Sequence, residues 1–202
     1  MFVGDMSFVR SAALVVLLAT RATPGGTPAP YQPLTSEQRW QLYARGVFWN
    51  PMIPVRAALG ASIAQWRDVP PEWGQGAEGF GKRLGHGFGR LAVRKSCEAA
   101  AAAALRHEVR YMPSASAGVW PRAAHALKAN FVTLDRHGHR TVHASRLGSI
   151  VAAELVSRRW MPERYRSVYR TTRGVAIQLG ITSALNLLRE FTPDLKRVLR
   201  RK

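Results

Sequence analysis

Apolar side chains recur every three or four residues along most of the chain, which is the period of an amphipathic helix. Thr35 and Gln38 stand at the spacing of a capping box, in which each side chain accepts a hydrogen bond from the other residue's backbone amide. They predict a first helix over residues 36–48. Pro54 fits the first position of a second helix, which is predicted over residues 54–66.

The third segment, from about residue 72 to 107, is rich in glycine. On a helix its apolar and small side chains fall on one face and its basic side chains on the other. Five glycines inside a helix would cost about 4–5 kcal/mol relative to alanine, so the segment is either irregular as far as Gly89 or closely packed on a neighbouring helix. The separation of charged from apolar positions favours the helix. The predicted helix-packing residues are Ala77, Gly81, Gly85 and Gly89.

Downstream, the pattern predicts a short helix and then changes to strand-like alternation. A hairpin is expected over residues 131–143 with Gly138 at its turn. Ser145 is expected to cap a helix over 146–159 that buries an apolar stripe of Leu147, Ile150, Val151 and Leu155. A core helix is expected over about 171–191. Residues 192–194 are expected to cap a short basic tail helix. The predicted fold class is therefore mainly α, a compact helical bundle with close small-residue packing and one short β-hairpin.

The N-terminus has the pattern of an export signal. An apolar run follows Arg10, is shorter than a membrane span, and ends at the small-x-small sequence Thr20-Arg21-Ala22. Residues 1–22 are predicted to be a signal peptide, with a first core helix or a retained anchor as the alternatives. Prolines and glycines predict a flexible linker over 23–34, and residues 35–202 are expected to form a single helical domain with a basic tail. The protein is expected to be exported, and periplasmic or associated with the envelope.

Charge is strongly unbalanced, since 30 Lys and Arg against 12 Asp and Glu give a net charge of +18. Such an excess indicates attraction to a polyanion, although a solvated face that aids solubility is the simpler alternative. The expected partners are an anionic membrane surface or another envelope protein, with a homo-oligomer as a further option and nucleic acid not favoured. The candidate anion-binding or lipid-binding residues are Lys82, Arg83, Arg90, Arg94, Lys196, Arg197, Arg200 and Arg201.

A line of polar residues runs along the predicted core helix. Gln178, Thr182 and Asn186 recur at intervals of four and therefore share one face. We expect them to form hydrogen bonds across a helix interface, because buried polar groups usually find partners. The alternative is that they line a ligand cavity.

Three histidines are the one arrangement that resembles metal ligation. His137, His139 and His143 share parity on a strand, as a three-nitrogen zinc site would need, but they span the turn and stand beside arginines. Solvated turn histidines are the preferred interpretation. No catalytic constellation is evident, no cofactor is expected, and the single Cys97 excludes an intrachain disulfide.

Three segments resemble a family of small exported bacterial proteins that has no established activity. They are Pro70-Pro71-Glu72-Trp73-Gly74-Gln75-Gly76-Ala77-Glu78-Gly79-Phe80, Val119-Trp120-Pro121-Arg122 with His125, and Leu188-Arg189-Glu190-Phe191-Thr192-Pro193-Asp194-Leu195. The resemblance covers most of the chain after the predicted signal peptide. It implies export and a shared fold, and it brings no catalytic residues with it.

These patterns predict an exported, basic, helical structural or interaction protein, attached peripherally to an envelope membrane or to an envelope protein. Enzymatic activity is not favoured. The alternatives are a nucleic-acid-binding protein that retains its N-terminus, and a metal-dependent enzyme built on the histidine hairpin.

Overall fold

The computed structural model describes residues 31–200, and within them the chain forms six α-helices, two short 3-10 turns and one two-stranded sheet. The elements are α1 (Ser36–Val47), α2 (Met52–Trp66), α3 (Gly76–Leu105), α4 (Val119–Lys128), β1 (Val132–Leu134), β2 (Arg140–Val142), α5 (Ala144–Ser157) and α6 (Val168–Leu199). The mainly α fold class with one short hairpin is confirmed. The predicted signal peptide and most of the predicted linker lie outside the described residues.

The first two helices begin at local capping groups. Thr35 Oγ1 accepts a hydrogen bond from the Gln38 amide at 3.2 Å, and Gln38 Oε1 accepts one from the Thr35 amide at 3.0 Å, which confirms the capping box. The second helix starts two residues before the predicted position. There the side chain of Asn50 accepts the amide hydrogen of Met52 at 3.0 Å and satisfies one of the free donors at the helix start.

The glycine-rich segment is one continuous helix of 30 residues, α3, so the irregular alternative is wrong. A 3-10 turn, Pro71–Trp73, precedes it, and Gly74 and Gly76 have positive φ angles of 68° and 83° at the entrance. The helix ends at Arg106, whose φ of 54° places it in the left-handed region that commonly terminates helices.

The hairpin forms where it was predicted. Its two strands pair antiparallel with Thr133 opposite Thr141. Gly138 has a φ of 82°, a backbone conformation that glycine adopts without the steric cost of a side chain.

The next helix, α5, differs from the prediction at its start. Ser145 was expected to cap it, but the helix begins at Ala144 and Ser145 lies inside its first turn. The serine hydroxyl instead lies 3.1 Å from Nδ1 of His107. The hydroxyl that the local sequence predicts to cap the helix is therefore used in a tertiary contact with His107.

The last helix, α6, runs through Pro193 without interruption, so the separate tail helix predicted after residues 192–194 is wrong. Proline leaves one helical hydrogen bond unmade. Arg122 bonds on both sides of it, donating from Nη2 to the Glu190 backbone oxygen at 2.6 Å and from Nη1 to Asp194 Oδ2 at 2.7 Å. These bonds hold the two turns together around the proline.

Contacts divide the chain into two compact units, each built from segments that are distant in sequence. The large unit comprises residues 32–109 and 131–180, and in it α3 packs chiefly against α5 and also against α2 and α1. Of the described residues, the small unit comprises Tyr31, 110–130 and 181–200. Among its described residues, side chains of α4 and of the second half of α6 form hydrogen bonds with each other. The single domain over 35–202 stays a prediction.

Many large apolar side chains are exposed, and most of the buried side chains are polar or charged. Among the described residues the buried apolar side chains are Ala44, Ile53, Ala61, Ala102, Ala126, Ile150 and Ala153. Soluble proteins usually show the opposite distribution. On α5 the predicted buried stripe is therefore largely wrong, because Val151 and Leu155 are exposed and only Ile150 is fully buried.

Candidate functional site

Arg83 lies at the centre of a loop that wraps around it. Its guanidinium donates to backbone oxygens of three loop residues and to two side chains: Val69 O at 3.0 Å, Pro70 O at 2.9 Å, Gly74 O at 2.7 Å, Gln65 Oε1 at 2.7 Å and Asp68 Oδ1 at 3.3 Å. Arginine suits such a site because its planar group carries five donors in fixed directions. Residues 65–74 thus form a cage around a buried cation.

A second, half-buried cation meets a carboxylate from α5. Arg90 Nη1 lies 3.0 Å from Glu154 Oε1, and Arg90 Nη2 donates to Gln178 Oε1 at 3.3 Å. Burial raises the pKa of Glu154, and the charge of Arg90 opposes that rise. The pair joins α3, α5 and the first half of α6 inside the large unit.

A third ionic group lies further along α3. Arg146 Nε lies 3.1 Å from Glu98 Oε1, and Lys95 Nζ lies 3.8 Å from Glu98 Oε2. Burial alone would raise the pKa of Glu98, but Lys95, Arg146 and Arg94 together outweigh it and hold the pKa below its ordinary value. The carboxylate is therefore charged, and it stabilises an interior that contains several arginines.

Two buried histidines share one serine hydroxyl. Ser145 Oγ lies 3.1 Å from His107 Nδ1 and 3.2 Å from His143 Nδ1. A hydroxyl carries a single proton, so one of the two imidazoles must donate its own. Burial and then Arg146 lower the pKa of His143 to about 4, and burial and then Arg39 lower that of His107. The two buried imidazoles are therefore neutral, and they form their hydrogen bonds with the Ser145 hydroxyl in that state.

In the small unit, Glu190 collects three donors. Its carboxylate accepts from Tyr111 Oη at 2.7 Å, from the Ser114 amide at 3.1 Å and from Arg122 Nε at 2.9 Å. Burial raises the pKa of Glu190, but the hydrogen bonds from Arg122 and Tyr111 more than reverse that and lower it. Arg122 also stacks on the ring of Phe191 at 4.6 Å, so the segments over residues 119–125 and 188–195 meet at one ion pair.

The polar line on α6 is buried at all three positions. In the large unit Gln178 accepts from Arg90, as described above. In the small unit Asn186 Nδ2 donates to Ala126 O and to Asn130 Oδ1, both at 3.3 Å, while its Oδ1 has no hydrogen-bond partner among the described residues. The contacts of Gln178 and Asn186 fit the interface interpretation better than a ligand cavity.

The predicted basic face of α3 is not a surface. Arg83 and Arg94 are buried, and Arg90 is largely covered by its partners, so the solvent-facing basic face is wrong for these three. Lys82 remains exposed beside Glu78, at 2.7 Å. In the C-terminal tail Lys196, Arg197 and Arg200 are exposed, and Arg201 lies outside the described residues. Anion binding by the tail stays a prediction.

The glycines of α3 do not form the predicted packing strip. A side chain at Gly81 or Gly85 would meet nothing within 4 Å, and Ala77 is exposed, because this face of the helix points outward. Of the four predicted packing residues only Gly89 is closely approached, and its neighbour belongs to a turn rather than to a helix. Gly87 faces Ala57 of α2 at 3.7 Å from an ideal Cβ, and Gly89 faces the ring of Trp160 at 3.5 Å.

The three histidines of the hairpin do not come together. The rings of His137 and His139 lie 6.1 Å apart on the exposed turn, whereas His143 is buried beside His107. Over residues 31–200 no group of three or more metal-ligating side chains has the arrangement to hold an ion. The hairpin therefore does not build the zinc site considered above.

An exposed apolar stripe on α2 is the feature that sequence reasoning missed. Its five members, here called the outer stripe, are Met52, Val55, Leu59, Ile63 and Trp66, with exposures from 47% at Val55 to 86% at Trp66. The opposite face of α2 carries Ile53, Ala57 and Ala61, and it packs on α3 through Ala57. Five of the six large apolar residues of α2 recur at helical spacing in the sequence, but that spacing does not show whether the face they form is covered.

No helix of the described chain combines the length and the apolar composition needed to cross a bilayer. The chain matches no known family model, no curated protein and no solved structure.

Proposed function

We propose that this chain is an exported, basic, structural or interaction protein that attaches peripherally to an anionic envelope membrane through the outer stripe of α2. The single observation that carries the proposal is the reversed burial of α2. Five of its six large apolar side chains face outward, whereas its inward face carries Ile53 with the small side chains of Ala57 and Ala61.

The geometry of the stripe suits a helix that lies in the plane of a membrane surface. The 15 residues of α2 extend about 22 Å at 1.5 Å per residue, and the stripe follows the whole length. Trp66 stands at one end, while Phe48 and Trp49 are exposed just before the other. Tryptophan prefers the boundary between headgroups and acyl chains, where its ring is partly solvated.

The charge around the stripe favours anionic lipid. No Asp or Glu occurs from Gln38 to Arg67, and that stretch carries four arginines. Arg45, Arg56 and Arg67 are exposed. Interfacial helices bind by combining apolar insertion with attraction between basic side chains and anionic headgroups, and both components are present here.

Vesicle sedimentation with the full chain tests the proposal. We expect binding to phosphatidylglycerol vesicles that weakens at high salt, and much weaker binding to phosphatidylcholine vesicles. The double variant Leu59→Gln/Ile63→Gln should bind about tenfold or more weakly, because each substitution removes about 1.5–3 kcal/mol of apolar burial.

A matched control uses two large side chains of the large unit that are at least as exposed as Leu59 and Ile63 but lie off the stripe. Val168→Gln/Tyr169→Gln should leave binding unchanged. An equal loss in this control, or no binding of the unaltered chain to phosphatidylglycerol, would contradict the proposal. Salt-dependent DNA binding by a chain that ignores both vesicle types would favour the nucleic-acid alternative.

A further inference from the structure

The large unit contains a cavity of about 690 Å³ beside α1, and no member of the outer stripe lines it. It is bounded by the start of α1, the C-terminal part of α3 and the hairpin turn. This volume is within the usual range for sites that enclose a small organic molecule. Ala99, Ala100 and Ala103 give it one apolar wall, and Leu34 and the ring of Trp40 extend that wall.

Three arginines from three different elements line the same cavity. They are Arg39 of α1, Arg106 at the end of α3 and Arg136 of the hairpin turn. Among the described residues that line it, none is acidic. Three like charges around one space are unfavourable unless an anion or solvent screens them.

The three arginines differ in what holds them. Arg39 Nη1 is fixed in place, since it donates to the carbonyls of Ala102 at 3.2 Å and His107 at 2.8 Å near the end of α3. Arg136 Nε donates to the neighbouring ring of His137 at 2.7 Å. The side chain of Arg106 forms no hydrogen bond or ion pair with the part of the chain that the structure describes. Arg39 alone bonds the carbonyls of the helix end, which leaves the charges of the other two for a ligand.

We propose that this cavity binds an anionic amphiphile, with its oxyanion head on the arginines and its aliphatic tail against the alanine wall. Guanidinium groups bind phosphate and carboxylate oxygens with paired, charge-assisted hydrogen bonds. The hydroxyls of Tyr43 and Ser96, which lie 2.9 Å apart in the same lining, add polar groups beside the apolar wall. A site with one apolar and one cationic side favours a ligand that has an apolar part and an anionic part. The inference goes beyond membrane attachment, because it uses elements other than α2.

Calorimetric titration of the full chain with octyl phosphate below its micellar concentration tests the site. We expect one molecule bound per chain, with inorganic phosphate and octyltrimethylammonium both binding at least about tenfold more weakly, since each lacks one of the two recognised parts. Octanoate measures whether a carboxylate replaces the phosphate. Free phosphate binding as tightly as octyl phosphate would show a simple anion site, and octyltrimethylammonium binding as tightly would show nonspecific apolar binding; either result overturns the proposal.

Two variants locate the binding. Arg106→Gln/Arg136→Gln should weaken octyl phosphate binding about tenfold or more, because each substitution removes a charge-assisted hydrogen bond to the oxyanion. Ala103→Trp should fill the apolar side and bring the affinity down to that of inorganic phosphate. Arg159→Gln/Arg173→Gln removes the same charge from exposed positions of the large unit outside the cavity and should have no effect. An equal effect of this control pair would refute the site. Because no vesicle takes part, failure here is distinguishable from failure of membrane attachment.

Discussion

The carboxylate of Glu154 occupies the space that a side chain at position 174 would need. An ideal Cβ on Gly174 would lie 2.7 Å from Glu154 Cδ and closer still to Oε2. The same carboxylate is paired with Arg90 at 3.0 Å, so it cannot move without breaking a buried ion pair. Position 174 therefore needs a glycine because the ion-paired carboxylate of Glu154 fills the space of a side chain, and not because two helices approach closely there.

Gly174→Ala should destabilise the protein by about 1–3 kcal/mol, because the new methyl group overpacks the buried carboxylate. Gly180→Ala, on the same helix and with nothing within 4 Å, should instead stabilise it by about 0.5–1 kcal/mol through helix propensity. Denaturant unfolding of the two variants measures the difference. Equal stabilities would mean that Glu154 moves aside freely.

A second matched pair lies on α3. An ideal Cβ on Gly79 would lie 2.8 Å from Arg83 Nη1 and would also meet the backbone oxygen of Gly74, so Gly79→Ala should cost about 1–3 kcal/mol. Gly81→Ala, whose side chain would meet nothing, should gain about 1 kcal/mol. Chemical denaturation followed by circular dichroism separates the two. A Gly79→Ala variant as stable as Gly81→Ala would remove the argument that the arginine cage is tightly built.

The ion pair of the small unit should depend on the shape of the guanidinium and not only on its charge. Arg122→Lys keeps the charge but loses the directed bonds to Glu190 and Asp194, and it should cost about 2 kcal/mol. Arg197→Lys, exposed and 3.8 Å from Asp194, should change the stability by less than about 0.5 kcal/mol. Urea unfolding curves compare the two variants. An Arg122→Lys variant with unaltered stability would show that the bonds of Arg122 do not hold the turns on either side of Pro193 together.

Stability should fall as the pH drops from about 6.5 toward 4.5. Burial and then Arg146 lower the pKa of His143 to about 4, and burial and then Arg90 lower that of His86 to about 4, both from 6.5. The unfolded chain therefore takes up protons first. The free energy of unfolding is highest above pH 6.5 and declines by at most about 1.4 kcal/mol per pH unit for each group.

The variant His86→Gln/His143→Gln tests this pH dependence. It should have a flatter profile between pH 6.5 and 5.5, above the range in which ordinary carboxylates mainly titrate, and the glutamine at position 86 can still accept from Trp160 Nε1. The exposed turn pair His137→Gln/His139→Gln should keep the original slope. Unchanged slopes in both variants would assign the pH dependence to other groups.

Local patterns predicted the helices well, and they failed on which face points inward. The period of α3 separated Arg83 and Arg94 correctly from Gly81 and Gly85, but the choice of the apolar face as the inner one was reversed. The acceptors of Arg83 could not be predicted from the local sequence, because most of them are backbone oxygens of a loop and do not depend on side-chain type.

The pattern predicted burial better on α6, where polar residues recur within a stretch that has no charged residue. Gln178, Thr182 and Asn186 were expected in an interface and are buried. The outer stripe and the arginine-lined cavity were both missed for one reason. Each depends on side chains being left uncovered, and the periodicity of a sequence gives no measure of that.

The polar interior also affects the thermodynamics of unfolding. Heat capacity rises on unfolding because apolar surface becomes hydrated, and in this protein much of the large apolar surface is already in contact with water in the native state. The heat-capacity increment of the free chain should therefore lie below the usual value of about 12–15 cal/mol/K per residue. Its stability curve should be unusually shallow against temperature, and association with lipid should restore the curvature.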